Sequence, residues 1–246
     1  LMQAGIRDIL LISTPGDLSK YEALLGSGSN WGINITYAIQ PSPDGLAQAL
    51  IIAEDFLDGS PSALILGDNI FYGNLIEEKL TSANIQTGAT IFTYHVNDPS
   101  RYGVAEFDEN NKVVGIEEKP NNPKTNYAIT GLYFYDELAP EYAKNVQPSS
   151  RGELEITDLN KIYLNKSKLN IIKMNRGYTW FDTGTFESLL EAQQFVHIME
   201  KRQGLKISCP EEIAFRNNWI SKEDLRNLAY PMKKNSYGSY LISITK

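Results

Sequence analysis

The chain has 246 residues, 42% of them hydrophobic and 22% charged, a formal net charge of −7 and a pI near 5.0. That length and composition fit a soluble α/β domain with a smaller appendage, and they exclude a disordered chain. An acidic balance without a basic run argues against a nucleic-acid partner, because it repels a phosphate backbone.

A single cysteine, Cys209, rules out an internal disulfide framework and any multi-cysteine zinc site. His95 and His197 alone give little support to histidine-based metal chemistry. No apolar stretch approaches 18 residues and no signal-peptide pattern occurs, so no membrane span is expected and the cytoplasm is the default location.

Leu1 to Ala4 reads as the end of a helix stopped by Gly5, so a segment upstream is expected to be missing, the alternative being a true start at Met2. Asp8 to Ile12 is a strand candidate, Leu18 to Leu25 a short helix closed by Gly26, and Ile33 to Ala38 the next strand. Leu46, Ala49, Leu50, Ala53, Phe56 and Leu57 recur at helical spacing behind a Pro-Asp-Gly turn. Leu64-Ile65-Leu66 is an apolar run that stops at Gly67-Asp68, as a buried strand of a parallel sheet does. This alternation predicts right-handed crossovers and a Rossmann-like, mixed but mostly parallel sheet flanked by helices.

Strand-like segments then follow at 89–96, 104–107, 113–117 and 127–135 with short turns, an antiparallel excursion. Ile156, Leu159 and Tyr163 mark a helix face, 169–174 another strand, and Phe186 to Met199 a long helix with Gly204 as its cap. Beyond it Pro210 suits a first helical position and Ser221-x-x-Asp224 a capping box. The expected division is an α/β domain over 1–202 and a helical appendage over 203–246.

Ligands of open α/β sheets bind beyond the carboxyl ends of the strands, so an acid at such an end faces substrate. Asp68 and Asp182, the latter in Trp180-Phe181-Asp182-Thr183-Gly184, are the two candidates. A turn or cap role explains either one alone. Together, with no histidine nearby, they suit Mg²⁺, a hard ion bound through one or two carboxylates plus substrate phosphates. The stiff Gln40-Pro41-Ser42-Pro43-Asp44-Gly45 loop fixes the Gln40 amide and the Gly45 backbone, which can read a nucleobase edge or simply form a capped turn. At Glu117-Glu118-Lys119, alternation turns only one glutamate to a site, and Lys119 fits a surface ion pair as well as a phosphate contact. Arg151, ahead of an acidic helix start, is either a mobile surface arginine or a guanidinium clamp on phosphate. The glycines at 26, 28 and 32 do not make a dinucleotide fingerprint, and no P-loop occurs.

In order along the chain, the segments 40–49, Leu66-Gly67-Asp68-Asn69-Ile70-Phe71-Tyr72-Gly73, Arg101-Tyr102-Gly103-Val104, Glu117-Glu118-Lys119-Pro120, Thr130-Gly131-Leu132-Tyr133-Phe134-Tyr135, Arg151-Gly152-Glu153-Leu154-Glu155-Ile156-Thr157-Asp158 and 180–184 resemble the glucose-1-phosphate thymidylyltransferase family. The resemblance implies a sugar nucleotidyltransferase that joins dTTP and α-D-glucose 1-phosphate into dTDP-glucose and pyrophosphate, on the route to dTDP-rhamnose and cell-surface polysaccharide. It implies Gln40, Pro43, Gly45 and Leu46 at the thymine, Mg²⁺ on Asp68 and Asp182, and Asn69, Gly103, Glu118 and Ile129 around the sugar. Lys119 and Arg151 would hold the sugar phosphate. It further implies a homotetramer with a second, regulatory nucleotide pocket involving Tyr72, Gly73, Glu212, Ile213 and Arg216. Valine is usual in the family at the place of Ile129, and leucine at that of Phe181.

The family also opens with a strand and a Gly-rich, arginine- and lysine-bearing phosphate loop that this chain starts after, so these residues by themselves are expected to be inactive. A metal-dependent glycosyltransferase and a non-catalytic nucleotide-sugar-binding subunit are the rival readings.

Overall fold

The computed structural model describes residues 1–74, 76–83 and 87–245. In chain order the elements are β1 (Asp8–Ser13), α1 (Leu18–Leu25), β2 (Asn34–Ile39), α2 (Gln48–Ile52), α3 (Glu54–Leu57), β3 (Ser62–Ile65), β4 (Asn69–Gly73), α4 (Ile76–Ala83), β5 (Ala89–His95), β6 (Gly103–Phe107), β7 (Val113–Glu118) and β8 (Tyr127–Tyr135). Then come α5 (Ala139–Lys144), α6 (Ile156–Asn165), β9 (Leu169–Met174), β10 (Tyr178–Asp182), α7 (Phe186–Gln203), α8 (Pro210–Arg216), α9 (Lys222–Ala229) and α10 (Ser236–Ser243). They gather into two compact units, residues 40–183 and residues 1–39 with 184–246.

The unit of residues 40–183 is built on a mixed sheet in the order β7-β6-β8-β5-β9, with β3 also on β8. Long β8 is antiparallel to β3, β5 and β6, whereas β5 and β9 are parallel. Strands β3, β5, β6 and β9 therefore share one direction, and β7 and β8 oppose it. Fewer direct parallel pairs result than the strand and helix alternation suggests, because β8 returns from the β6–β7 excursion and inserts between β3 and β5. A separate antiparallel ribbon, β4 with β10, has Asp182 opposite Asn69 and Gly73 opposite Tyr178. These two short strands escape a sequence reading, since each is five residues long and their partners lie more than a hundred positions apart.

Helices α2, α5 and α6 cover the sheet with a core that includes Leu50, Ile91, Tyr135, Leu159 and Tyr163. The single helix expected from Leu46 to Leu57 is two short ones, because Ala53, with ψ near −3°, flattens the ladder between them. Behind the sheet sits a buried polar knot. Asp136 accepts hydrogen bonds from the Gly88 amide (2.6 Å), the Tyr163 hydroxyl (2.6 Å) and the Leu138 amide (3.2 Å). Tyr135 donates to Asn160 Oδ1 at 2.8 Å.

Burial raises the Tyr135 and Tyr163 hydroxyls well above the usual tyrosine range, and for Tyr163 the hydrogen bond to Asp136 pushes the same way. A tyrosine whose folded value lies above its unfolded value of about 10 contributes stability below that pH and loses it as pH rises. The thermal midpoint is therefore expected to be flat up to about pH 9 and to fall above about pH 10. The share of the tyrosinate absorbance that is lost in Tyr163→Phe should appear only on unfolding; a midpoint unchanged through that range, or that share appearing in the folded protein, would contradict this.

In the other unit β1 and β2 pair in parallel from Asp8↔Asn34 to Ser13↔Ile39. Helix α7 starts in a capping box between Thr185 and Ser188 and ends at Gly204, whose φ of 71° a glycine adopts without steric cost. Residues 203–246 group here with residues 1–39 and 184–202. Their helices α8 to α10 share a small core of Cys209, Leu225, Ala229, Tyr240 and Leu241. Ser221 and Asp224 form the reciprocal capping box that their spacing predicts. No helix among the described residues is long and apolar enough to cross a membrane.

Candidate active site

Within residues 40–183 a cavity of about 280 Å³ opens beside the β4–β10 ribbon. The ribbon's register explains why two acids 114 positions apart meet at it. Asp182 closes β10 opposite Asn69, and Asp68 immediately precedes Asn69. The Thr183 amide and hydroxyl then donate to the Asp68 carbonyl at 2.9 and 2.8 Å, zipping the two strand ends together. Both Asp68 and Asp182 line the cavity.

Their donor set is carboxylate oxygen, the kind a hard divalent cation takes. Among the described residues no group of three or more histidine, cysteine or acidic side chains could hold a metal. A cation on Asp68 and Asp182 would thus need further oxygens from water or from a phosphorylated ligand, which is the ordinary state of a magnesium site.

The opposite wall comes from β6 and β7, where Gly103 and Glu118 are paired across the ladder. Strand alternation turns Glu118 inward and leaves Glu117 exposed. Thr157, at the start of α6, donates to Glu118 Oε2 at 2.5 Å and fixes the carboxylate. A Cβ on Gly103 would lie 3.0 Å from Thr157 Oγ1 and 3.3 Å from Glu118 Oε2, so glycine keeps this wall open. Ile129, buried on β8, adds an apolar patch beside it.

Three cations line the same cavity, Arg101, Lys119 and Arg151, and the last two are the expected phosphate contacts. Lys119 sits at φ +42°, a left-handed conformation that a non-glycine residue rarely adopts, and its amide donates to Tyr102 O at 3.1 Å. Among the described residues its ammonium makes no ion pair. Arg151 is different: its guanidinium reaches Glu155 at 2.9 Å, Glu153 at 3.4 Å and Glu118 at 3.6 Å. Burial opposes its charge, but the hydrogen bond to Glu155 and the three carboxylates outweigh that and raise it above the ordinary arginine value. An incoming phosphate would compete with carboxylates for this fork of donors.

The loop at 40–48 is held from inside. Gln40 Nε2 donates to Gly45 O (3.2 Å) and Gln48 Oε1 (2.7 Å), and Gln48 donates to Asp44. Backbone bonds Leu154 N to Asp44 O (2.7 Å) and Ala47 N to Leu154 O (3.0 Å) dock it against the segment before α6. Of this loop Leu46 reaches the cavity, while Gln40, Pro43 and Gly45 do not line it. Gly45 has φ +107°, and a Cβ there would lie 2.4 Å from Leu154 N. Gly45→Ala is expected to cost about 1–3 kcal/mol in urea unfolding from backbone strain alone, and more from the clash. Gly59, at φ +72° with nothing within 4 Å of its Cβ, is the control, and equal losses at both positions would refute the close docking.

Arg101, Tyr102, Thr157 and Trp180 also line the cavity. Arg101 and Tyr102 adjoin a glycine whose neighbourhood carries signal in the sequence; Thr157 and Trp180 acquire a role only once α6 and the ribbon are in place. The remaining candidates are not among the residues that line this cavity. Gly73, on β4, packs so closely on the Tyr178 ring that a Cβ would lie 2.2 Å from it, and Tyr72 precedes it. Glu212, Ile213 and Arg216 are on α8 in the other unit, where buried Glu212 accepts from Arg216 at 2.7 Å and from the Tyr240 hydroxyl.

Comparison with known proteins gives one consistent result. The family model described as nucleotidyl transferase matches residues 1–198. The glucose-1-phosphate thymidylyltransferase of Xanthomonas campestris pv. campestris (strain B100) is 56% identical over 100% of this chain and 84% of its own length. That of Neisseria meningitidis serogroup A is 55% identical over 100% and 86%. Among solved structures, one from Bacillus anthracis assigned to glucose-1-phosphate thymidylyltransferase, in complex with sucrose, superposes with a TM-score of 0.71 at 40% identity over 78% of this chain and 77% of that one. A UDP-glucose pyrophosphorylase bound to UDP-glucose shares the fold, with a TM-score of 0.66 at 23% identity over 80% and 83%. The chain therefore belongs to the nucleotidyl transferase family, among its glucose-1-phosphate thymidylyltransferases.

Proposed function

We propose that the protein joins dTTP and α-D-glucose 1-phosphate into dTDP-glucose and pyrophosphate. The observation that carries this reading is the meeting of Asp68 and Asp182 on one cavity with Lys119 and Arg151. A phosphate oxygen of the sugar substrate attacks the α-phosphorus of the nucleotide; that bond forms as the bond to the β-phosphate oxygen breaks, and pyrophosphate leaves with the electron pair. Two anions must meet in line, so positioning and charge neutralisation supply the catalysis, and no covalent protein intermediate is required.

Lys119 and Arg151 grip the sugar phosphate. Glu118, steadied by Thr157, accepts from sugar hydroxyls, with Gly103, Asn69 and Ile129 shaping the remainder. The 40–48 loop holds the base through Gln40, Pro43, Gly45 and Leu46. Asp68 and Asp182 would hold Mg²⁺, which when bound neutralises phosphate charge between the substrates. The product suits dTDP-rhamnose and polysaccharide synthesis in the cytoplasm. A homotetramer, with a second nucleotide pocket drawing on Tyr72, Gly73, Glu212, Ile213 and Arg216, completes the reading.

The test joins a relative's strand and Gly-rich phosphate loop to the front of these residues, supplies that protein with dTTP, glucose 1-phosphate and MgCl₂, and follows products by ion-exchange chromatography. Equimolar dTDP-glucose and pyrophosphate are expected. Release of free nucleoside diphosphate would point to glycosyl transfer instead, and binding of dTDP-glucose without turnover to a non-catalytic subunit.

A further inference from the structure

The Asn69 side chain sits at the junction of three elements. Its Oδ1 accepts from the Gly131 amide of β8 at 3.0 Å and from the Trp180 indole N–H of β10 at 2.6 Å. Its Nδ2 donates to Asp68 Oδ1 at 2.9 Å. A backbone amide and an indole N–H can only donate, so together they occupy both lone pairs of the carboxamide oxygen and settle which end of the amide is which. The nitrogen is left pointing at Asp68. Gly131 reinforces the arrangement, since a Cβ there would lie 2.7 Å from Asn69 Oδ1 and break it.

We propose that Asn69 is a positioning residue for the Asp68 carboxylate, with Trp180 as the anchor that keeps its amide from turning over. Asp68 is exposed, and an exposed carboxylate ordinarily samples several rotamers. The Thr183 contacts fix only its backbone, so the side chain takes its orientation from Asn69. Outer partners of this kind typically change metal affinity or activity by about 10–100-fold when removed. The inference rests on the reading of Asp68 as a cation ligand, and it assigns Asn69 a duty besides its contact with the sugar.

The test measures Mn²⁺ affinity by electron paramagnetic resonance in the presence of a non-hydrolysable dTTP analogue, together with KM for glucose 1-phosphate, for Asn69→Ala, Trp180→Phe and Asp68→Asn. Asn69→Ala is expected to weaken Mn²⁺ about 10–100-fold and, through its contact with the sugar, to raise KM for glucose 1-phosphate as well. Trp180→Phe keeps an aromatic ring, though a smaller one, and loses the donor, so it should weaken Mn²⁺ in the same direction by less. If Asn69→Ala does not fold, Trp180→Phe decides. An unchanged Mn²⁺ affinity in the folded variants, with KM for glucose 1-phosphate raised or only the thermal midpoint lowered, would overturn the proposal. An unchanged affinity in Asp68→Asn would instead overturn the metal reading beneath it.

Discussion

Replacing Asp68 with asparagine is expected to lower turnover by on the order of 10²- to 10³-fold, the loss typical of removing one preorganised electrostatic contact to a developing charge. The fold should not notice. Asp68 is exposed, and the links that place it in the ribbon, from the Thr183 amide and hydroxyl, run to its backbone carbonyl. Asparagine keeps the shape and the hydrogen bond to Asn69 after an amide turn, and it removes only the charge. The deficit should therefore shrink as divalent cation is raised, whereas the thermal midpoint stays where it was. Near-normal turnover at low cation concentration would separate Asp68 from the chemistry. A collapse of the midpoint would make it a structural residue like the aspartates of ordinary turns.

Much of this site is legible in the sequence because its chemistry sits at element ends. Asp68 follows an apolar strand run, Glu118 ends a strand with alternating faces, and Arg151 precedes a helix; each signal is local. What joins them is not. The ribbon that sets Asp182 opposite Asn69 links short strands far apart in the chain, and no local propensity encodes that register. The Asn69 triad depends on it as well, since Gly131 and Trp180 come from two further segments. Gly45 shows the converse. Its sequence context announces a turn, but the reason that only glycine serves is the backbone of Leu154, which passes where a Cβ would stand. The mixed character of the sheet is legible in the closely spaced strands at 89–135, but the place of β8 is not: it is a near-continuous apolar run whether it lies at an edge or, as here, between β3 and β5.

The largest effect on stability is expected at Asp136, far from any substrate contact. This carboxylate is 2% exposed and satisfies the Gly88 amide, the Leu138 amide and the Tyr163 hydroxyl at once. Gly88 and Leu138 flank the paired ends of β5 and β8, where Ala89 lies opposite Tyr135, and Tyr163 belongs to α6. One side chain thus ties the two central strands to the helix that carries Thr157. Alanine would strand two buried donors and a half-buried one and open a hole, and breaking a buried charged network in this way costs about 3–5 kcal/mol. Tyr163→Phe removes a single donor and keeps the ring packed, so it should cost only about 0.5–1.5 kcal/mol. Urea unfolding of the two variants measures both losses. A small loss for Asp136→Ala, no greater than that of Tyr163→Phe, would mean that water reaches the knot and that its hydrogen bonds are exchanged for solvent at little expense.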